Sequence, residues 1–224
     1  MIEFLRYNNL DYILKSPAKS EGKLPVILFL HGSGTRSTSL QNLSTNPFLS
    51  EESLYGKEDC PALIFAPLCM HDSWFDKFEQ LQDFVKFALT HPLADPDRLY
   101  FVGTSMGGYG VWQLAMTMSE YVAALFPICG GGMTWNYRPL LHIPVWTVHG
   151  MDDTCVLPRD SIDFVEKINA HGGEAHITLL EGVSHACWFH AFADQEIYDW
   201  LFSKKKQAKM DDGINEFADS KKFG

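Results

Sequence analysis

A three-layer α/β fold, with a mostly parallel central sheet flanked by helices, follows from three observations. Short apolar segments recur along the chain, among them PVILFLH at 25–31, RLYFV at 98–102 and IPVWTVH at 143–149. Continuous runs of Val, Ile, Leu and Phe suit strands buried on both faces. These segments alternate with longer stretches of helix length, the pattern of a parallel sheet built from crossover units. Finally, the residues able to do chemistry fall just after the strands, and open α/β sheets bind ligands at the C-terminal ends of their strands.

In chain order, residues 3–16 are expected as a strand or hairpin at the sheet edge. Further strands are expected near 24–31, 61–67, 98–104, 122–128, 143–149 and 174–180, and helices near 74–90, 105–119, 158–171 and 190–203. The connection from 128 to 143 holds only about fourteen residues, too few for an inserted helical lid, so the site is expected to be an open cleft. Beyond about 204 the chain becomes polar and charged. The reading is therefore one domain over 1–203 and a polar C-terminal tail over 204–224.

The 224 residues suit one substantial core. Hydrophobic residues at 46% and charged residues at 21% describe a soluble globule without a membrane-spanning run. The first residues, MIEFLRYNNLDYILKSP, interleave charges with apolar residues and lack the pattern of a secretory signal, which points to a cytoplasmic protein. A formal charge of −10, from 18 basic and 28 acidic residues, argues against a nucleic-acid partner, because phosphate binding draws on clustered Lys and Arg. The Lys204–Lys206 run reads as a solvated face. Five cysteines, at 60, 69, 129, 155 and 187, lack metal-ligand spacing and read as buried free thiols in a reducing compartment. Cys155 and Cys187 are taken as pocket-wall or packing residues.

The chemistry centres on Gly103, Thr104, Ser105, Met106 and Gly107. A Gly-x-Ser-x-Gly run between an apolar strand and a helix-compatible segment places its serine on a sharp turn, the nucleophile elbow. The glycines are needed because a side chain at 103 or 107 would collide with the neighbouring strand or helix. A serine hydroxyl is a weak nucleophile, so a base must take its proton. His185, on the loop after the strand at 175–180, is the candidate base among nine histidines. A carboxylate must orient that imidazole, and Asp152 and Asp153 both follow the strand at 143–149. Two backbone N–H groups are expected to form the oxyanion hole, those of Ser33, in the His31-Gly32-Ser33-Gly34 loop, and Met106. This chemistry requires no metal and no organic cofactor.

Taken together, HGSG at 31–34, DPDRLYFVGTSMGGYGVWQLA at 95–115, PICGGG at 127–132, HGMDD at 149–153 and GVSHACW at 182–188 resemble a compact α/β-hydrolase serine esterase. The similarity spans about 24–202 and is to the bacterial carbohydrate-esterase, feruloyl-esterase and dienelactone-hydrolase-like groups. It implies an α/β-hydrolase fold with no lid domain and cleavage of a small-molecule carboxylic ester through an acyl-enzyme. By that resemblance the acid, in a Gly-x-x-Asp-x-x-Val pattern, falls on Asp153. A true dienelactone hydrolase would carry Cys where this chain has Ser105.

Trp74, Trp135 and Tyr137 are expected at the rim of the cleft as substrate-binding aromatics, favouring short or aromatic acyl groups. Trp112 and Trp146 are expected in the core, and Trp188 as a buttress of the histidine loop. A prolyl-oligopeptidase-like peptidase shares these motifs but carries a gating domain or amine anchors that are not evident here. A non-catalytic ligand-binding protein of this fold would have no need of the Ser, Asp and His set.

Overall fold

The computed structural model describes residues 1–208. The chain opens with two strands, β1 (Ile2–Tyr7) and β2 (Leu10–Lys15), joined by Asn8 and Asn9. Both asparagines have positive φ, 44° and 63°, as a two-residue hairpin turn that follows the twist of its strands requires. There follow β3 (Leu24–Leu30), α1 (Leu40–Ser44), β4 (Leu63–Pro67), α2 (Phe78–Leu89), β5 (Ala94–Thr104) and α3 (Met106–Thr117). The second half adds β6 (Ala124–Ile128), β7 (Val145–Gly150), α4 (Pro158–Ala170), β8 (Ala175–Leu180), α5 (Trp188–Ala193) and α6 (Gln195–Ser203). Among the described residues these strands form one eight-stranded sheet in the order β1-β2-β4-β3-β5-β6-β7-β8. Strands β3 to β8 run parallel, and the N-terminal hairpin joins antiparallel through β2 and β4. This is the three-layer α/β-hydrolase fold.

Side-chain alternation along the central strands divides the core between the two faces. On β3, Val26, Leu28 and Leu30 pack with α2, α3 and α4 through Phe84, Trp112 and Phe164. Ile27 and Phe29 face the other way, toward Phe48, Tyr55, Phe192 and Leu201. Trp112 stacks on Phe164 with centroids 4.1 Å apart, and Trp146 donates from Nε1 to Thr178 Oγ1 at 2.9 Å. Phe29 stacks on Phe48 at 4.1 Å, and Phe48 meets Phe192 edge-on at 5.1 Å. Such pairs contribute about 1 kcal/mol each beyond their burial. They tie the 45–60 segment to α5, as does the bond from Leu54 N–H to the Phe192 carbonyl at 3.0 Å.

Several boundaries differ from expectation for local reasons. Helix α2 begins at Phe78 rather than 74, because Ser73–Asp76 forms a tight turn in which the Asp76 carboxylate accepts from Ser73 N–H at 2.7 Å. The expected helix at 190–203 is two. Asp194 breaks it and caps α6, its Oδ1 accepting from Glu196 and Ile197 N–H at 2.9 and 3.2 Å. The connection from 128 to 143 contains two short 3-10 turns, Thr134–Asn136 and Arg138–Leu140. The basic run after α6 is anchored rather than merely solvated, since Lys204 Nζ reaches Glu174 at 2.7 Å and Lys206 N–H donates to the Asp97 carbonyl at 2.8 Å. The expected tail from 209 to 224 lies outside the described residues. No helix among the described residues is long and apolar enough to cross a membrane.

Candidate active site

Ser105 stands between β5 and α3 with φ 54° and ψ −117°, a conformation unfavourable for a side-chain-bearing residue. The turn is held by Ser105 N–H donating to the Ile128 carbonyl at 2.9 Å and by Tyr109 N–H donating to the Ser105 carbonyl at 3.1 Å. It also demands a glycine at 107. A Cβ there would sit 1.9 Å from the Leu30 carbonyl oxygen, so α3 could not approach β3.

The sheet brings together side chains that are 80 positions apart in the chain. His185 Nε2 lies 2.8 Å from Ser105 Oγ, and its Nδ1 lies 2.7 Å from Asp153 Oδ2. A carboxylate oxygen only accepts, so Nδ1 carries the proton and Nε2 is left to receive the serine's. Asp153 is 3% exposed, and its other oxygen, Oδ1, accepts from the N–H groups of Cys155 and Val156 at 2.8 and 3.0 Å. Burial pushes this carboxyl up. The hydrogen bonds from His185, Val156 and Cys155 outweigh that and hold it below its ordinary value. Asp152 is exposed, and its backbone N–H bonds to the Val183 carbonyl at 3.0 Å. That bond joins the acid loop to the histidine loop. Gly150 permits the same approach, because a Cβ there would meet the Val183 and Ser184 carbonyls at 2.3 Å.

Ser33 and Met106 each open a helical turn, so the backbone N–H of each has no acceptor within its own turn. The loop bearing Ser33 is pinned by the buried ring of His31. Its Nε2 accepts from Cys69 N–H at 3.0 Å, and its Nδ1 lies 2.7 Å from the Gly32 carbonyl. The ring is therefore neutral with its proton on Nδ1, and burial lowers its pKa to about 4.

A cleft of about 380 Å³ opens over Ser105 and His185. Gly32 and Ser33 form one wall, Asn46 and Pro47 a second, and Trp188, Phe189 and Phe192 a third. The spacing 188, 189, 192 on α5 sets these aromatics together beside His185, a pattern the sequence itself carries. A wider groove of about 980 Å³, between the Asn8–Asn9 turn and the start of α2, holds none of these residues.

The three expected rim aromatics are not brought to the cleft. Trp74 is 4% exposed and sits in the core, its Nε1 donating to the His31 carbonyl at 3.0 Å. Tyr137 is 7% exposed, against the His171 ring at 4.4 Å and beneath the Lys167 ammonium. Trp135 is 73% exposed, on the 3-10 turn after β6, and does not line the cleft. Trp188 meets the His185 ring edge-on at 5.6 Å, so it supports the histidine and also faces the cleft. Cys155 is exposed rather than buried, because its backbone, not its thiol, serves Asp153.

Cys129, Asp153 and His185 offer ligand atoms within 4.8 Å of one another. Both His185 nitrogens and the facing Asp153 oxygen are already hydrogen-bonded, and the neighbouring Cys187 thiol, followed by burial, pushes the Cys129 thiol up. The set favours proton transfer over holding a cation.

The chain matches the dienelactone hydrolase family over residues 69–216. No curated protein matches it. Among solved structures it is similar to a thermostable esterase, at 28% identity and a TM-score of 0.79, over 92% of this chain and 63% of that one. It thus spans less than two thirds of that protein's length. It is also similar to the acylaminoacyl peptidase of Pyrococcus horikoshii, at 16% identity and a TM-score of 0.68, over 94% of this chain and 42% of the peptidase. Est1E from Butyrivibrio proteoclasticus matches at 15% identity and a TM-score of 0.67, over 91% of this chain and 99% of its own.

Proposed function

The chain belongs to the dienelactone hydrolase family, a hydrolase assignment from which we propose that it is a serine esterase acting on small carboxylic esters through an acyl-enzyme. The observation that carries this reading is the hydrogen-bonded chain Ser105–His185–Asp153 opening on an apolar cleft. Ser105 Oγ attacks the ester carbonyl carbon as its proton passes to His185 Nε2, and Asp153 stabilises the resulting imidazolium. The oxyanion is received by the N–H groups of Ser33 and Met106, each contributing about 3 kcal/mol to lowering the barrier. His185 then protonates the departing alkoxide. A water, deprotonated by the same imidazole, hydrolyses the acyl-serine and restores the enzyme.

The acyl group lies against Trp188, Phe189 and Phe192, a short aromatic wall suited to short or aromatic acyl chains. The esterase nature of the 28%-identical structural neighbour supports the ester over other hydrolase substrates. A reducing, cytoplasmic setting belongs to the same reading, supported by five cysteines that are all unpaired.

The test is stopped-flow hydrolysis of p-nitrophenyl acetate, followed by a panel of acetyl, butyryl, feruloyl and palmitoyl esters. A burst of one nitrophenolate per active site, and activity falling from butyrate to palmitate, is expected. Absence of turnover on every ester of the panel overturns the reading.

A further inference from the structure

Asp153 faces a second imidazole. His149, in β7, is completely buried, and its Nε2 lies 3.2 Å from Asp153 Oδ2, the oxygen that also receives the His185 N–H. The same Nε2 lies 3.0 Å from the Val156 carbonyl oxygen. Both neighbours can only accept, so Nε2 carries a proton; its hydrogen bond goes to the Val156 carbonyl, with the Asp153 oxygen beside it at ion-pair distance. Across the ring, Nδ1 lies 2.8 Å from Ser161 Oγ on α4, and that hydroxyl lies 2.8 Å from the Gly130 carbonyl. Gly130 packs backbone to backbone against Gly108 of α3, one turn beyond Ser105. The single Ser161 proton serves either Nδ1 or the Gly130 carbonyl, and either way His149 and Ser161 form the polar contact between the acid loop and the segment on which the helix of the nucleophile rests.

We propose that His149 is a positioning residue: its Nε2–H, bonded to the Val156 carbonyl and lying beside Asp153 Oδ2, holds the acid loop, and Ser161 ties it to the backbone behind Ser105. The inference rests on the esterase reading of this site. The positive end of an N–H dipole beside a carboxylate oxygen draws on the charge that oxygen offers its hydrogen-bond donor. Removing the His149 donor leaves more of that negative charge for His185, so the imidazolium is favoured and the acid limb of the rate profile moves upward. It also frees the acid loop, and misorientation slows the chemical step more than it weakens binding. The other titratable groups facing this carboxylate are Cys129 at the end of β6 and Tyr109 on α3, the latter bonded to Asp160 of α4 at 2.8 Å. Both groups, and Asp160 with them, are unaltered in sequence when His149 alone is changed.

The experiment is the pH dependence of kcat and kcat/KM for the wild type, His149→Leu and His149→Gln, with melting temperatures alongside. In the Leu variant kcat should fall about 10- to 100-fold, the rate equivalent of one hydrogen bond beside a charged group, with KM nearly unchanged. The acid limb should move up by roughly half to one pH unit. Gln retains an N–H near the Nε2 position and should recover most of both effects. A folded Leu variant with an unmoved acid limb overturns the proposal, whether or not its kcat has fallen. Should that variant not fold, nitrogen-15 NMR of the wild-type histidines decides. A protonated Nε2 on His149 supports the proposal, and a neutral ring protonated at Nδ1 alone overturns it. A wild type inert toward all esters would instead remove the esterase reading, and the same NMR measurement would still test His149.

Discussion

The Trp74 indole donates a hydrogen bond from inside the core to the His31 carbonyl oxygen at 3.0 Å, and the two rings lie 5.0 Å apart. Trp74 thus holds the loop that carries the Ser33 N–H, rather than touching an acyl group. Trp74→Phe keeps the packing and removes the donor. We expect kcat to fall on the order of fivefold, the equivalent of one neutral hydrogen bond. The ratio of activities on butyryl and aromatic esters should not change, and a changed ratio would return Trp74 to the substrate surface.

His31 makes the same loop sensitive to acid. Its folded pKa, about 4, lies below the ordinary 6.5, so the unfolded chain binds the extra proton first. The stability that follows is full above about pH 6.5, declines as pH falls, and is lost once pH passes about 4. Over that window the contribution is about 3 kcal/mol. The denaturant midpoint of the wild type should therefore fall relative to that of His31→Gln as pH drops from 7 to 4. Parallel curves would show that the ring's proton state is immaterial.

Ser105→Ala should reduce ester hydrolysis by about 10³- to 10⁶-fold while leaving the melting temperature close to wild type. A fluorophosphonate should label the wild type and not the variant. Turnover near the wild-type rate in the purified variant would eliminate the mechanism.

The adjacent carboxylates should behave very differently. Asp153→Asn removes the buried acceptor of the His185 N–H and should cost about 10³- to 10⁴-fold in kcat. Asp152→Asn alters an exposed side chain and should change kcat by less than about threefold. Equal losses in the two variants would mean that Asp153 does not alone orient the imidazole.

Phe189 is 54% exposed where it borders the cleft. Phe189→Ala should raise KM for aromatic esters by roughly tenfold and for acetyl esters by much less, since only the larger acyl group reaches that ring. A uniform change in KM would place the acyl group on another wall.

The strands and the serine turn were legible in the sequence because each is local. An apolar run such as 25–31 has one plausible environment, and Gly103-x-Ser105-x-Gly107 encodes its own steric demand. His185 and the Asp152–Asp153 pair each follow a strand end, and only the family resemblance distinguishes Asp153 from its neighbour. The aromatics were misplaced because burial is a tertiary property. Nothing near Trp74 in the chain announces that the His31 carbonyl, 43 residues earlier, needs its indole. The 45–60 segment has neither clear period nor strand length, yet it supplies Phe48 and Tyr55 to the core through contacts with Phe192 of α5, far along the chain. His149 was hidden for the opposite reason, since a histidine within a strand gives no hint of what its ring will meet.

The base of the proposed reaction is delivered from β8, which pairs with β7 along one side and borders no strand on the other among the described residues. Edge elements of this kind open locally at lower free energy than the strands beside them. Each brief detachment of β8 would carry His185 away from Ser105 while β3, β5 and β6 stayed closed around the serine turn. Mild heating or denaturant should then extinguish turnover before the far-ultraviolet spectrum changes, making catalysis a finer gauge of fraying at this margin than any probe of the whole chain.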